Sequence, residues 1–158
     1  MKHVPVTEEQ RDLVRAVTSD IGKITTHART LFNKLQSLVC NQEVSATLGV
    51  SVSHAVGTDD ATEMGLNTPF GAVTIQLLPF VSDEGVLGRC IVSRKDVSAS
   101  DKVSWVDIWS FCVTPTGTFF HEADSSAKAR VIPTSSWDAD NDVHDLLLAI
   151  IFVAGRER

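Results

Sequence analysis

A regular apolar stripe runs through residues 7–40. Its apolar positions are separated by alternating steps of 3 and 4 residues, and they are Val14, Val17, Ile21, Ile24, Ala28, Leu31, Leu35 and Leu38. This spacing places them on one side of an α-helix and is typical of a helix that packs along a partner. Thr7 and Gln10 have the spacing of a capping box, which predicts that the helix begins there. The stripe is called the helix seam below.

The next two segments predict a strand and a loop. Apolar and small polar residues alternate over residues 44–52, which predicts a strand with one buried face, and a continuation of the first helix is the alternative. Residues 57–69 are polar and contain glycine and asparagine, so we predict a surface loop there.

Four further segments predict an antiparallel meander. They are residues 72–80, 86–95, 103–114 and 118–122. Polar or glycine-containing turns separate them, including Pro115 and Gly117 in a tight hairpin. With the segment at residues 44–52, the pattern predicts a sheet of four to five strands.

A second helix is predicted over residues 143–154. Acidic residues precede it, as the helix dipole favours, and Gly155 follows it. Residues 146–154 are apolar all round, so we expect both sides of this helix to be buried. The predicted fold class is therefore α+β. It is one domain over residues 1–158, with a long N-terminal helix, an antiparallel meander and a buried C-terminal helix.

The apolar surface of the two helices exceeds what one sheet face easily covers. The helix seam and the wholly apolar second helix would both have to pack on the same small sheet. A second copy of the chain supplies the missing surface, because most soluble oligomers are symmetric assemblies of one chain. The sequence therefore predicts a homodimer, joined through helices or across a sheet face.

Charge argues against nucleic acid as a partner. The 158 residues carry a formal net charge of −6, and an acidic chain lacks the cations that neutralise phosphates. Lys23, Arg29 and Lys34 lie in a stretch without acidic residues, which we interpret as a solvated helix face.

The N-terminus shows no secretory signal, and the longest apolar run is too short to cross a bilayer. These features predict a soluble cytoplasmic protein that does not associate with a membrane.

The cysteines predict a reducing compartment. Cys40, Cys90 and Cys112 are odd in number, form no C-x-x-C pair and have apolar neighbours in sequence. This pattern is unlike a disulfide framework or a zinc site, and it favours buried free thiols.

No motif in the chain predicts a catalytic, metal or cofactor site. Asp138, Asp140 and Asp142 resemble the start of a calcium-binding loop, but Val143 and Ala149 stand where that loop needs Gly and Glu. Capping of the second helix explains the acidic residues better. The histidines lack metal-binding spacings, and no serine or cysteine has a nucleophile motif. We therefore expect no metal and no cofactor. The same observations favour a protein without enzyme activity, and an enzyme whose site residues come together only in the fold stays an open alternative.

The most informative stretch after the first helix is the aromatic strand at residues 103–113. Strict alternation would place Trp105, Asp107, Trp109 and Phe111 on one face of the sheet. Both faces of this strand are substantially apolar, which favours a central strand covered on two sides. The four residues could form an aromatic core. Alternatively, they form a recognition platform with Asp107 as its polar anchor, since Trp is favoured at binding hot spots.

These observations predict a non-catalytic protein-binding module that acts as a homodimer on an unidentified protein partner. Inhibitors, immunity proteins, adaptors and secretion-chaperone-like dimers belong to this class. The small, acidic, helix-plus-sheet profile is similar to that of small secretion chaperones, although no motif is shared. The alternative is a small-molecule sensor or small enzyme with a pocket between sheet and helices, where pockets commonly occur. Such a pocket would be expected to contain Asp107, His54 or His121.

Overall fold

Residues 5–56, 63–83, 85–122, 129–132 and 140–156 are described by the computed structural model. Within them are three α-helices: α1 (Glu8–Val39), α2 (Gln42–Leu48) and α3 (Asp140–Ala154). The strands are β1 (Ser51–His54), β2 (Glu63–Thr68), β3 (Gly71–Ser82), β4 (Gly85–Val97), β5 (Val103–Val113), β6 (Thr118–His121) and β7 (Arg130–Val131). They form one antiparallel sheet in chain order. The α+β class is confirmed, but the predicted count of four to five strands is wrong, because this sheet has seven.

Helix α1 begins at the predicted capping box. The Gln10 backbone N–H donates to Thr7 Oγ1 at 3.2 Å, and the Thr7 backbone N–H donates to Gln10 Oε1 at 3.0 Å. The C-terminal two thirds of the helix seam lies in the hydrophobic core of the same chain. Ile24, Ala28, Leu31 and Leu35 are fully buried, and Val17, Ile21 and Leu38 pack against the core in part. Val14, at the other end of the helix seam, is exposed.

A glycine on β4 allows α1 to lie close to the middle of the sheet. A Cβ atom at Gly88 would lie 2.5 Å from Ile24 Cγ2 and 2.7 Å from Leu77 Cδ1. These distances are shorter than any van der Waals contact allows, so the helix and the sheet meet here only because Gly88 has no side chain. The face of the sheet that carries α1 and α3 is called the inner face below, and the opposite one the outer face.

The predicted strand at residues 44–52 is wrong over most of its length. Residues 42–48 form α2, whose cap Asn41 accepts hydrogen bonds from the backbone of Glu43 and Val44. The helix ends at Gly49, which has a left-handed φ of 65°. Val44 and Leu48 pack against the core. Residues four apart lie on the same side of a helix and also on the same face of a strand, so the alternating pattern alone did not distinguish the two structures.

The predicted loop at residues 57–69 contains a strand. Strand β2 covers residues 63–68, and Met64 and Leu66 are fully buried on its inner face. Glu63 and Asn67 alternate with them and are exposed. Because half of the strand is polar and one position is glycine, the sequence resembled a loop. Residues 57–62 of the predicted loop lie outside the described residues.

The four meander strands are confirmed with small shifts of their ends as β3, β4, β5 and β6. Strands β1, β2 and β7 extend the sheet on both sides of them. Strand β7 has only two residues, and it lies between the last strand and the second helix that the sequence predicts. Its backbone joins the sheet through the pairs Thr118–Val131 and Phe119–Arg130.

Helix α3 is buried on one side only, so the prediction that both of its sides are buried is wrong. Val143, Leu146, Leu147 and Ile150 face the core, whereas Phe152 is 68% exposed. The helix starts at Asp140, three residues before the predicted start, and the predicted cap at Asp138 lies outside the described residues. None of the helices among the described residues is long and apolar enough to cross a membrane.

An arginine on the inner face holds the end of α3. Arg94 of β4 donates from Nη1 to the backbone oxygen of Ala154 at 2.5 Å, and Asp96 accepts from Arg94 Nε at 3.1 Å. A cation at a helix C-terminus satisfies carbonyl groups that have no partner within the helix, and it complements the helix dipole. Arg94 therefore fixes the position of α3 along the sheet.

Replacing Gly88 by Ala tests the close approach of α1 to β4. The new methyl group would displace Ile24 and Leu77, so we expect Gly88→Ala to destabilise the protein by about 1–3 kcal/mol. The matched control is Gly22→Ala, because Gly22 lies in α1 with no atom within 4 Å of the added methyl group. That change should stabilise the helix by up to about 1 kcal/mol. Urea denaturation of both variants at one protein concentration measures the difference, and equal shifts would contradict the packing.

Candidate functional site

A β-bulge in β5 divides the aromatic strand between the two faces of the sheet. Trp109 pairs with Val92 of β4, but Asp107 pairs with Ser93, the very next residue. Ile108 is therefore the extra residue of the bulge, and alternation reverses there. Residues directly opposite each other on two strands share a face. Trp109 and Phe111 consequently lie on the inner face with Val92, while Trp105 and Asp107 lie on the outer face.

Trp105 belongs to an exposed apolar patch on the outer face. It is 48% exposed and pairs with Lys95, and its neighbours Val97 and Val103 form the next pair on the same face. We call these three residues, Val97, Val103 and Trp105, the outer patch. The outer face of β5 is open here, because Val103, Trp105 and Asp107 are exposed, so the strand is not covered on both faces as its sequence predicts.

Asp107 is exposed beside the outer patch. Its Oδ1 accepts a hydrogen bond from Ser93 Oγ at 2.7 Å. It is therefore not enclosed between two tryptophans, which was the arrangement expected from strict alternation. The binding role of Trp105, Asp107, Trp109 and Phe111 stays a prediction, but they do not form one platform.

On the inner face, Trp109 is anchored by a histidine of the neighbouring strand. Its indole Nε1–H donates to His121 Nε2 at 2.5 Å, and the two rings meet edge to face with centroids 4.9 Å apart. The centroid of Phe111 lies 5.6 Å from that of Trp109. The hydrogen bond requires an unprotonated Nε2, so it forms with the neutral His121 ring.

These aromatic residues form one wall of a cavity between the sheet and α3. The cavity has a volume of about 240 Å³. Its lining comes from β5, β6, β7 and α3, and consists of Trp109, Phe111, Phe119, Phe120, His121, Arg130, Asp142, Asp145, Leu146 and Ala149. Of the three polar residues expected in a pocket, His121 is present. Asp107 lies on the outer face, and His54 lies on β1, at the far edge of the sheet.

Charged residues from β7 and α3 surround the cavity mouth. Arg130 Nη1 lies 3.3 Å from Asp142 Oδ1 and 3.4 Å from Asp145 Oδ2. All three side chains are partly exposed, so these ion pairs contribute little to stability. One guanidinium nitrogen is thus shared between two carboxylates on adjacent turns of α3.

A second polar cluster lies on the outer face. Glu122 accepts hydrogen bonds from Arg89 Nε at 2.8 Å and from Ser110 Oγ, and the Arg89 guanidinium stacks 4.2 Å above the Phe80 ring. Burial raises the pKa of Glu122, but the bonds from Arg89 and Ser110 outweigh it, and the net pKa is lowered. The hydrogen bond to Glu122 in turn raises the pKa of Arg89. With every member bonded, the cluster resembles a structural ion pair more than a reactive site.

One of the three cysteines differs from its predicted environment. Cys90 and Cys112 are buried, as expected, but Cys40 is exposed because α1 ends at Val39. Burial raises the pKa of Cys112 to about 11, and that of Cys90 well above its usual value. A nucleophilic cysteine needs a lowered pKa, so neither buried thiol is suited to catalysis. Among the described residues, no group of three or more His, Cys, Asp or Glu side chains could hold a metal ion.

Sequence reasoning missed Arg130, Asp142 and Asp145 as a group. Arg130 is 12 and 15 residues from its two partners. The sequence assigns Asp142 to helix capping, and Asp145 carries no prediction. The i, i+3 spacing of Asp142 and Asp145 was the available signal, because it places two carboxylates on one side of a helix.

Two matched tryptophan variants test the division of the aromatic strand. Trp109→Phe removes the hydrogen bond to His121 and shortens a partly buried side chain, so we expect a loss of about 1–3 kcal/mol. Trp105→Phe changes an exposed side chain and should alter stability by no more than about 0.5 kcal/mol. Thermal or urea unfolding measures both values. Equal losses would contradict the placement of the two residues on different faces.

Thiol titration tests the cysteine environments. In native protein at pH 8, we expect Ellman's reagent to modify Cys40 alone, because Cys90 and Cys112 are buried with raised pKa values. All three thiols should react after denaturation. Cys40→Ser should abolish the rapid reaction, and rapid modification of a second thiol in the native protein would contradict the structure.

Comparison with protein-family models, with curated proteins and with solved structures finds no match for this chain.

Three features of the described residues are candidates for function. They are the cavity beside α3, the outer patch and the exposed part of α1.

Proposed function

We propose that this protein is a non-catalytic protein-binding module that acts as a homodimer. The observation that supports it is the N-terminal part of α1, which extends beyond the rest of the fold. All of residues 8–16 are exposed, and buried residues begin only at Ile24. Two adjacent apolar side chains in this part, Leu13 and Val14, are 64% and 60% exposed.

A second copy of the chain would stabilise an exposed helix end of this kind. Helices in proteins are stabilised mainly by the packing of their apolar side, and short helical segments are marginal in water. Val14 continues the helix seam, whose other end is buried in the chain's own core. A second copy that packs along the same stripe would bury Leu13 and Val14 in a self-complementary contact.

The outer patch is the proposed surface for the protein partner. Val97, Val103 and Trp105 are all about half exposed or more, and they adjoin Lys95 and Asp107. An apolar centre with a polar surround is the usual composition of a protein interface, and tryptophan is enriched at binding hot spots. Inhibitors, immunity proteins, adaptors and secretion-chaperone-like dimers all act through such surfaces, and we propose this class.

The cavity beside α3 favours a second candidate function, a small-molecule-binding sensor or small enzyme. The specific observation is that His121, Trp109 and Arg130 converge on one concave space between sheet and helix. Apolar cavities with a few polar groups are the usual form of small-ligand sites. This function and the first are compatible, since they use different surfaces.

The mass of the protein in solution tests the homodimer. We expect light scattering at micromolar concentration to give about twice the 17.1 kDa of one chain. Leu13→Glu combined with Val14→Glu should reduce it to one chain while the circular dichroism stays folded, because two charges would be buried in the contact. The matched control is Ala16→Glu with Ser19→Glu, which adds the same charge at exposed positions outside the helix seam.

Two results would contradict the proposal at different levels. A wild-type mass of one chain refutes the homodimer itself. A dimer that survives in the Leu13/Val14 variant, as in the control, refutes the assignment of the interface to α1.

A further inference from the structure

The cavity beside α3 combines aromatic walls with carboxylates at its mouth. Trp109, Phe111 and Phe119 contribute rings, while Asp142 and Asp145 contribute negative charge from α3. The faces of aromatic rings carry negative potential and attract cations, and desolvation strengthens that attraction. Aromatic walls and carboxylates therefore favour the same kind of ligand, one with a positive charge next to an apolar body.

The charges around the mouth favour a cation over an anion. Arg130 provides one positive charge and the two aspartates provide two negative charges, so the group is net negative by one. Arg130 is already engaged by both carboxylates, and one of its nitrogens makes both contacts, at 3.3 and 3.4 Å. Arg130 contacts Oδ1 of Asp142 and Oδ2 of Asp145, so a cation could bind the second oxygen of each carboxylate while these contacts stay in place, whereas an anion would have to displace them. The net charge of −6 on the chain adds to this preference.

A hydrogen bond fixes the aromatic wall of the cavity. His121 Nε2 accepts it from Trp109 Nε1. The same bond holds the indole in one orientation, so the aromatic wall is in place before a ligand arrives. A preformed wall lowers the entropy cost of binding.

The volume limits the size of the ligand. Cavities for drug-sized ligands have volumes of roughly 300–1,000 Å³, and this one has about 240 Å³. It can hold a single ring or a short branched chain together with its charged group.

We propose that the cavity binds a small organic cation, an amine or methylated ammonium attached to an apolar body. The apolar body lies against Trp109, Phe111 and Leu146. The ammonium group binds the carboxylate oxygens of Asp142 and Asp145 other than the two that contact Arg130. This assignment rests on the second candidate function, the binding of a small molecule, and is independent of the homodimer.

Calorimetric titration with three probes of similar shape tests the class of ligand. The probes are 2-phenylethylamine, 2-phenylethanol and 3-phenylpropionate, which are cationic, neutral and anionic. We expect the amine to bind about tenfold more tightly than the alcohol, because cation–π and carboxylate contacts together contribute about one factor of ten, and the carboxylate to bind most weakly. Equal or tighter binding of the alcohol or the carboxylate overturns the cation and leaves a small-molecule pocket. No binding of any probe overturns both.

Variants of the full chain locate the binding. Asp142→Asn with Asp145→Asn should weaken amine binding about tenfold and leave alcohol binding unchanged. Asp12→Asn with Asp20→Asn on α1 changes the net charge equally and should have no effect. Ala149→Leu keeps a good helix former and fills the cavity, so it should abolish the binding of all probes. Undiminished amine binding in the Asp142/Asp145 or the Ala149 variant overturns the proposal.

Discussion

The close contact between Ile24 and Gly88 is the constraint on which the arrangement of the molecule depends. It fixes α1 against the centre of the sheet and so defines the inner face. Helix α3 then packs on the same face, where Arg94 holds its C-terminal end. The cavity lies where α3 passes over β5, β6 and β7. The first turns of α1 are exposed, and the buried residues of this helix begin at Ile24.

The bulge at Ile108 gives the two faces of the sheet different chemistry. It directs Trp109 toward α3 and Trp105 toward solvent, although the sequence spaces them as if they shared a face. One strand thus contributes a wall of the inner cavity and the centre of the outer patch. A protein partner and a small ligand could therefore be bound on opposite faces of the same strand.

How far the sequence predicts this structure depends on how local each signal is. The helix seam and the capping box of α1 depend on neighbouring residues, and the structure contains both. The sequence predicts a strand over residues 44–52, but residues 42–48 form the helix α2. The spacing of Val44 and Leu48 fits both structures equally well, so it could not distinguish them. Strand β2 was taken for a loop because Met64 and Leu66 alone carry its apolar face. The aromatic residues of β5 do not share one face as strict alternation predicts, because a bulge arises from pairing with β4, which sequence spacing does not record.

The candidate site was predictable only in part, for the same reason. Trp109 and Phe111 were selected because they are aromatic residues on a strand. The ion pairs of Arg130 join residues far apart in sequence, through a strand of only two residues. Their association follows from the path of β7 beside α3, and no motif marks it.

Native-state hydrogen exchange of α1, followed as protein concentration is raised, tests the central claim most directly. The claim is that a second copy of the chain covers the exposed part of this helix. The account predicts that amides of residues 12–20 gain protection at concentrations where the dimer forms, approaching the protection of residues 24–35. Rapid exchange of residues 12–20 at every concentration, with residues 24–35 protected throughout, would contradict it.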